Sequence, residues 1–209
     1  MSRGQNVDKQ QNDETQWITS ACAGDLASFN NLVLFYQARV YNLCLRILSD
    51  ADGAADATQE TFISAYRAIG RFRGEGFQAW LLRIASNTCL DMLRSRKRRP
   101  SVSLDAPGYS GEQDEGPALQ LADLDPSNDP EELALRSEIA STVEMGLQGL
   151  PDDQRIAIVL VDVQGLSYEE AAQVTGANIG TVKSRISRAR GRMRDYLRAQ
   201  GIIPGGGEP

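Results

Sequence analysis

Hydrophobic residues recur along most of the chain at the period of an α-helix. Between Phe29 and Ile47 they return every three or four positions, which predicts one amphipathic helix of about six turns. Residues 156–163 are apolar enough for a β-strand, but the sequence offers no second strand to pair with them. Similar helical patterns occupy residues 52–69, 77–97, 130–147, 153–163, 168–174 and 179–197. The sequence therefore predicts an all-α fold of two small helical domains, over residues 15–99 and 131–200.

The segment between these domains, residues 100–130, has no sustained period and is rich in Pro, Gly, Ser and Asp. Charge is also concentrated there, because residues 100–135 contain nine acidic and no basic residues, while the whole chain carries −6. Residues 15–99 have 11 basic and 7 acidic residues. We expect an acidic flexible linker between the domains, a disordered N-terminus over residues 1–14 and a flexible tail over 201–209.

The composition excludes several classes of function. The chain has no histidine, so a histidine-based catalytic triad and a histidine-ligated metal are excluded. Cys22, Cys44 and Cys89 lack metal-binding spacing, and no glycine-rich phosphate loop or nucleophile elbow is present. We therefore expect no catalytic residues, no cofactor and no metal. The apolar run 156–161 is too short for a membrane span, and the N-terminus lacks the apolar core of a signal peptide, which favours a cytoplasmic protein.

The C-terminal domain ends in the pattern of a helix-turn-helix. Ser167 and Glu170 form a capping box at the start of a short helix, and a turn containing Gly176 leads to the last helix. On a helical wheel, one stripe of this last helix is apolar and is predicted to face the core: Val182, Ile186, Ala189, Met193 and Leu197.

The opposite side of the last helix is small, polar and basic. From residue 183 to 198 there are seven basic residues and one acidic residue. Small polar side chains let a helix enter the major groove while arginines reach bases and phosphates. The alternative is a solvated basic surface helix. The candidate DNA-binding residues are Thr181, Lys183, Ser184, Arg185, Ser187 and Arg188.

Two faces are predicted on the second helix of the first domain. An apolar face, expected to be core, contains Ala55, Thr58, Phe62, Ala65, Tyr66 and Ile69. A separate face, about 120° away, carries Asp56, Gln59, Glu60 and Ile63. This second face suits docking on a basic protein surface, and the alternative is a solvated acidic face.

The third helix carries a stripe that suits single-stranded DNA, formed by Trp80, Arg83, Asn87 and Arg94. Aromatic rings stack on bases, amides hydrogen-bond to base edges and arginines hold phosphates. The preceding loop, with Phe72 and Arg73, is flexible enough to form a pocket for a flipped base. The alternative is that Trp80 and Phe72 belong to the core.

Two stretches of the chain resemble the extracytoplasmic-function (ECF, group IV) sigma factors of bacterial RNA polymerase. Asp56-x-x-Gln59-Glu60-x-Phe62 is similar to the family's polymerase-docking motif, and the run 80–87, Trp-Leu-x-x-Ile-Ala-x-Asn, resembles its −10 recognition helix. Residues 180–185, Gly-Thr-Val-Lys-Ser-Arg, followed by Arg-Ala-Arg at 188–190, resemble the −35 recognition helix. In one departure, residues 177–179 replace the usual hydrophobic-Pro-x turn.

The resemblance implies that residues 15–99 are region 2, which binds the clamp of core RNA polymerase and the −10 DNA. It implies that residues 131–200 are region 4, which binds the −35 duplex and the flap, with the linker passing near the active cleft. An anti-sigma factor is a further implied partner. A stand-alone helix-turn-helix regulator is the alternative, but it leaves the surfaces of the first domain unexplained. Region 2 would bind the clamp through Asp56, Gln59, Glu60, Phe62 and Ile63, and the −10 element through Phe72, Arg73, Trp80, Arg83, Asn87 and Arg94.

Overall fold

The computed structural model describes residues 3–73, 76–98 and 130–204, and within them every regular element is helical. This confirms the all-α prediction. Of the helices in this part of the chain, none combines the length and hydrophobicity that a membrane crossing requires. The helices are α1 (Arg3–Cys22), α2 (Leu26–Leu48), α3 (Ala51–Ala68), α4 (Phe77–Arg98), α5 (Pro130–Gln148), α6 (Asp152–Ile158), α7 (Tyr168–Thr175) and α8 (Ile179–Ala199).

Helices α2, α3 and α4 pack together to form the core of the N-terminal unit. Helix α2 starts where the Asp25 side chain accepts hydrogen bonds from the backbone N–H groups of Ala27 and Ser28, a standard N-cap. The helix ends at Ser49, whose φ of 55° puts the backbone in the left-handed region. The fully buried large side chains here are Leu32, Val40, Leu43, Cys44, Ile47, Leu81 and Leu82.

The buried face of α3 differs from the apolar face predicted for it. The prediction placed Phe62 and Tyr66 in the core, but Phe62 is only partly buried and Tyr66 is 48% exposed. Small residues allow α3 to approach its neighbours closely, so the larger rings lie at the edge of the contact. Tyr66 packs there edge-on against Phe29, with ring centroids 5.0 Å apart. The residues of α3 that are buried are Gly53, Ala54, Ala57, Thr61 and Ala65.

Helix α1 runs from Arg3 to Cys22 and precedes the three core helices. Trp17 and Ala21 pack against the core, so the helix is anchored by its C-terminal half. The Tyr36 hydroxyl of α2 donates a hydrogen bond to the Glu14 carboxylate, which extends the contact into the segment predicted to be disordered. Burial, followed by this hydrogen bond, raises the pKa of Tyr36.

Helices α5 to α8 form the C-terminal unit. Residues 156–163, the one stretch considered as a strand, are the end of α6 and a π-helical turn over Val159–Val163. Four residues of the predicted stripe of α8 are buried: Val182, Ile186, Ala189 and Met193. The predicted linker lies outside the described residues, except for Pro130, and so do residues 205–209 of the tail.

The two units touch each other. Helix α4 of the N-terminal unit packs on α7 of the C-terminal unit, and α2 also contacts α5 and α6. These contacts join segments that are far apart in sequence, and no local sequence pattern predicts them.

Candidate protein and nucleic-acid interfaces

The turn between α7 and α8 is built by local hydrogen bonds that the sequence encodes. The Ser167 hydroxyl oxygen accepts from the Glu170 backbone N–H at 3.1 Å, and the Glu170 carboxylate accepts from the Ser167 backbone N–H at 2.8 Å. Gly176 ends α7 with φ of 65°, a conformation that costs glycine little. The Asn178 side chain then accepts from the Thr181 N–H at 2.7 Å and starts α8. The three unusual residues before Gly180, residues 177–179, therefore preserve the N-cap of α8.

The predicted DNA-binding face of α8 points away from the core. Its small polar residues beside the basic ones leave room for close approach to a groove. This is the arrangement expected of a recognition helix. Lys183, Ser184, Ser187 and Arg188 are exposed, and Thr181 and Arg185 are partly exposed.

The cations of α8 differ in how they are paired. Arg190 donates two hydrogen bonds to the carboxylate of Asp162, at 2.9 and 2.6 Å, and these raise the pKa of Arg190. Arg185 forms an ion pair with Asp153 at 3.0 Å between Nε and Oδ2. Arg188 forms no hydrogen bond or ion pair with any residue in the described ranges. It is therefore the cation of this face with the fewest competing contacts.

The aromatic residues near the start of α4 form one cluster. The rings of Phe72 and Trp80 have centroids 5.2 Å apart, and Phe77 lies 5.6 Å from Phe72 and 5.3 Å from Trp80. Phe77 is buried, whereas Phe72 and Trp80 are partly exposed. Phe72 and Trp80 thus have features of both a core residue and a binding residue, because each ring packs on the core and still exposes part of its surface to solvent.

The structure brings four of the six predicted −10 residues to a single crevice, which is lined by Phe72, Arg73, Trp80 and Arg83 among others. Asn87 and Arg94 lie further along α4 and are exposed. Arg94 forms an exposed ion pair with Asp91 at 3.0 Å, while Arg73 donates to the backbone carbonyls of Gly70 and Phe72. The surface therefore combines aromatic faces with guanidinium groups, as single-stranded DNA binding requires.

A separate groove of about 840 Å³ lies between α2 and α3. Four predicted docking residues line it: Asp56, Gln59, Phe62 and Ile63. Glu60 is exposed outside the groove, where its carboxylate accepts from the Ser64 hydroxyl at 3.2 Å. Residues of the predicted apolar and polar faces of α3 thus meet in one groove. Its lining combines apolar side chains with the carboxylate of Asp56.

Sequence reasoning missed the opposite wall of this groove, which belongs to α2. Its members include Tyr41 and Val33, both of which are partly exposed. The partial exposure of these residues depends on the packing angle between two helices, which the period of one helix does not contain. The residues of α2 in this wall are Val33, Gln37, Ala38, Tyr41 and Asn42.

Comparison with known proteins identifies the family. Residues 32–99 match the family model "Sigma-70 region 2", and residues 142–193 match "Sigma-70, region 4". The chain is 44% identical to the RNA polymerase sigma-H factor of Pseudomonas aeruginosa over 181 residues, covering 86% of this chain and 91% of that protein. This chain belongs to the ECF sigma factors.

Further relatives of this ECF sigma factor agree. It is 43% identical to the ECF RNA polymerase sigma-E factor of Escherichia coli K12 over 169 residues, covering 80% of this chain and 85% of the relative. Its fold is similar to the sigma factor RpoE in complex with the anti-sigma factor NepR from Bartonella quintana. That similarity has a TM-score of 0.63 and 28% identity, over 83% of this chain and 98% of RpoE. CnrH in complex with the cytosolic domain of CnrY gives a TM-score of 0.62 at 25% identity, over 90% of this chain and 98% of the matched one.

Proposed function

We propose that this chain is an alternative sigma factor that binds core RNA polymerase, recognises −10 and −35 promoter elements and promotes promoter melting. The observation that carries the proposal is the presence in one chain of three surfaces suited to these tasks. They are the α2–α3 groove, the aromatic and basic surface of α4, and the basic recognition helix α8. The chemistry of RNA synthesis then belongs to the polymerase, and this chain acts by binding.

The α2–α3 groove is the proposed docking site for the clamp. Asp56 and Glu60 are exposed carboxylates near the exposed aliphatic side chain of Ile63 and the partly buried ring of Phe62. An apolar contact rimmed by acidic groups suits a partner surface that is basic with an apolar centre, since complementary charge orients the encounter. Four of the five residues proposed from the sequence line this groove, Glu60 lies outside it, and the α2 wall adds further residues to the proposed site.

The α4 surface is the proposed site for the melted −10 strand. Bases that leave the duplex stack would be captured by the exposed parts of Trp80 and Phe72, while Arg73 and Arg83 hold phosphates. Asn87 would hydrogen-bond to base edges, and Arg94 would contact the backbone further along the strand. The unstacking cost is a few kcal/mol per base, and stacking on aromatic side chains recovers about 1–3 kcal/mol per base. Stacking on these rings, together with the phosphate contacts, would therefore offset the unstacking cost, without hydrolysis by this chain.

The face of α8 is the proposed site for the −35 duplex. Its N-terminal turn carries Thr181, Lys183 and Ser184, the part of a recognition helix that enters the major groove deepest. Ser187 and Arg188 extend the same face by one turn, with Arg185 at its edge. The rest of the C-terminal unit is proposed to contact the flap of the polymerase.

An anti-sigma factor is also proposed as a partner. The support comes from the two solved relatives above, RpoE in complex with the anti-sigma factor NepR and CnrH in complex with the cytosolic domain of CnrY. The domain division follows the same proposal, with region 2 over residues 15–99 and region 4 over 131–200.

The test is reconstitution with core RNA polymerase, followed by run-off transcription from a library of genomic fragments. We expect the wild-type chain to co-elute with the core enzyme and to start transcription at specific promoters. Asp56→Arg combined with Glu60→Arg should abolish co-elution while the circular dichroism spectrum stays unchanged, because both side chains are exposed.

The matched control is Asp52→Arg with Asp91→Arg, the same charge change at exposed positions of α3 and α4 outside the groove. It should leave co-elution intact. Assembly of a stable holoenzyme by the α3 double variant would show that the docking surface is wrong. A wild-type chain that binds core enzyme but starts at no promoter would refute the sigma-factor proposal.

A further inference from the structure

We propose that Tyr168 of α7 is a positioning residue for −35 recognition, and that it acts by holding the Lys183 ammonium group over its ring at the edge of the DNA-binding face of α8. The inference rests on the −35 role proposed above for α8, and it adds a residue of the preceding helix to that role. The Lys183 Nζ atom lies 5.9 Å from the centroid of the Tyr168 ring. At this distance the negative face of an aromatic ring attracts a cation.

The Tyr168 ring is held in place by its surroundings. Tyr168 is the first residue of α7 and directly follows Ser167, whose capping box with Glu170 fixes the backbone at this point. The ring is partly buried and packs against the buried hydrophobic residues. The pKa of Arg190 is raised by Asp162 and, to a smaller extent, by Tyr168, so the tyrosine side chain also lies beside that guanidinium. The ring is therefore a fixed platform for the lysine.

An aromatic ring orients a cation without neutralising it. Arg185 and Arg190 are bound by carboxylates, which compete with a DNA phosphate for the same guanidinium groups. Lys183 is exposed and forms no hydrogen bond or ion pair with any residue that the structure describes, so its ammonium keeps both its charge and its three N–H donors. Lys183 is thus the cation of α8 that is oriented within the chain and still available to DNA.

Orientation matters for Lys183 because a lysine side chain is a flexible four-carbon stem that loses much conformational freedom when it is immobilised in a complex. A ring that restricts the ammonium before binding removes part of this entropic cost. The position of the residue favours a contact with DNA, since Lys183 lies near the N-terminus of α8, the part of a recognition helix that enters the groove deepest. A cation–π contact at an exposed site corresponds to about a two- to fivefold change in affinity.

The perturbation is Tyr168→Leu in the full chain, which keeps an apolar side chain at this position and removes the face of the ring. Tyr168→Phe is the conservative variant, because it keeps the ring and removes the hydroxyl group alone. The matched control is Tyr196→Leu, which removes another partly exposed tyrosine ring of the same unit, one that lies against Gly146 of α5. Urea unfolding of each variant measures its loss of stability separately from its loss of affinity.

The first measurement locates the Lys183 side chain in the chain without DNA. Protons that lie above an aromatic ring resonate upfield, so the ε-methylene protons of Lys183 report the contact by NMR. We expect an upfield shift in the wild type and in Tyr168→Phe. In Tyr168→Leu the resonance should return to the ordinary lysine position, and in Tyr196→Leu it should stay where it is in the wild type.

The second measurement is fluorescence anisotropy with a labelled duplex that carries the −35 element of a promoter found by run-off transcription, compared with a duplex of scrambled sequence. Tyr168→Leu should weaken binding to the −35 duplex by about two- to fivefold, while Tyr168→Phe and Tyr196→Leu keep the wild-type affinity. In a Lys183→Ala background, Tyr168→Leu should have no further effect, because the ring acts through the ammonium group. A merely structural role of the ring would lower the affinity by the same factor in both backgrounds.

Three results would overturn the inference. One is a loss of affinity in Tyr168→Phe equal to that in Tyr168→Leu, which would show that the hydroxyl group contacts DNA directly. Another is an equal effect of Tyr168→Leu with and without Lys183, and the third is a Lys183 resonance that Tyr168→Leu leaves unchanged. A wild-type chain that binds the −35 duplex no better than the scrambled duplex would instead refute the −35 role of α8, and this inference with it.

Discussion

The pairing of the α8 cations leads to a sharp contrast between Arg188 and Arg190, which lie two positions apart on the same helix. Arg188 is exposed and forms no hydrogen bond or ion pair within the described part of the chain, whereas Arg190 is bound twice by the Asp162 carboxylate. Arg188→Ala should cost about 1–3 kcal/mol of −35 affinity, roughly 5- to 150-fold, if the side chain contacts a base. Arg190→Ala should change affinity by less than about twofold, since that guanidinium is already engaged.

The assay is fluorescence anisotropy with a −35 duplex from a promoter found by run-off transcription, repeated over a series of salt concentrations. If Arg188 contacts a phosphate instead of a base, its removal should lower the slope of log affinity against log salt by about 0.9. Arg190→Ala should lower stability by at most about 1 kcal/mol, because the pair with Asp162 is partly exposed to solvent. An equal or larger loss of affinity for Arg190→Ala would refute the assignment of the DNA-binding face.

Three shorter predictions concern the scaffold. Asn178→Ala should lower the free energy of unfolding in urea by about 1 kcal/mol through loss of the N-cap, while Asn178→Ser should not. A thiol reagent should label the partly exposed Cys22 of the native chain well before the buried Cys44 and Cys89, and labelling at equal rates would contradict their burial. The Arg96 side chain lowers the pKa of Asp50, so the ionised Asp50 carboxylate contributes to the free energy of unfolding at pH 7. This stabilisation is lost as the pH falls below about 4. The difference in melting temperature between wild type and Asp50→Asn should therefore be smaller at pH 3 than at pH 7.

The recognition helix could be predicted from the sequence, because its two faces differ in both size and charge. Val182, Ile186 and Met193 recur at the helical period between arginines, and all three are buried as expected. The turn before the helix could be predicted equally well, since the Ser167 capping box and the Asn178 cap depend only on neighbours within three residues. Local hydrogen bonds and a strong period are the features that a single sequence states most directly.

The buried face of α3 was predicted only in part, because Ala65 and Ile69 are buried as expected whereas Phe62 and Tyr66 lie at its edge. Hydrophobicity alone favours burial of Phe62 and Tyr66, but the contact with its neighbours is made by the small residues Ala54, Ala57 and Thr61. Close approach of helix backbones requires small side chains at the contact, and the larger rings then pack around its edge. The spacing of the small residues along α3 therefore marks its buried face better than the spacing of its large hydrophobic residues does. Phe62, which was predicted both as a core residue and as a docking residue, therefore lies at the edge of the core and lines the groove.

Contacts between the two units were beyond sequence reasoning. Arg39 and Gln164 are 125 positions apart and both are ordinary polar residues, so neither period nor motif singles them out. The ion pair between Arg46 and Glu144 likewise joins two residues that are far apart in the sequence and belong to no motif. Such contacts depend on how the two helical units are placed relative to each other, and the local pattern of neither unit contains that information.

The ion pairs change the meaning of the charge on α8. Seven basic residues against one acidic residue suggest a strongly attractive helix. In the folded chain, however, Asp153 and Asp162 neutralise Arg185 and Arg190. These pairs reduce the charge available to DNA and hold two arginines at the edge of the face. The free chain should therefore bind non-specific duplex DNA with a shallower salt dependence than a count of cations implies, which leaves discrimination between sites to Lys183 and Arg188.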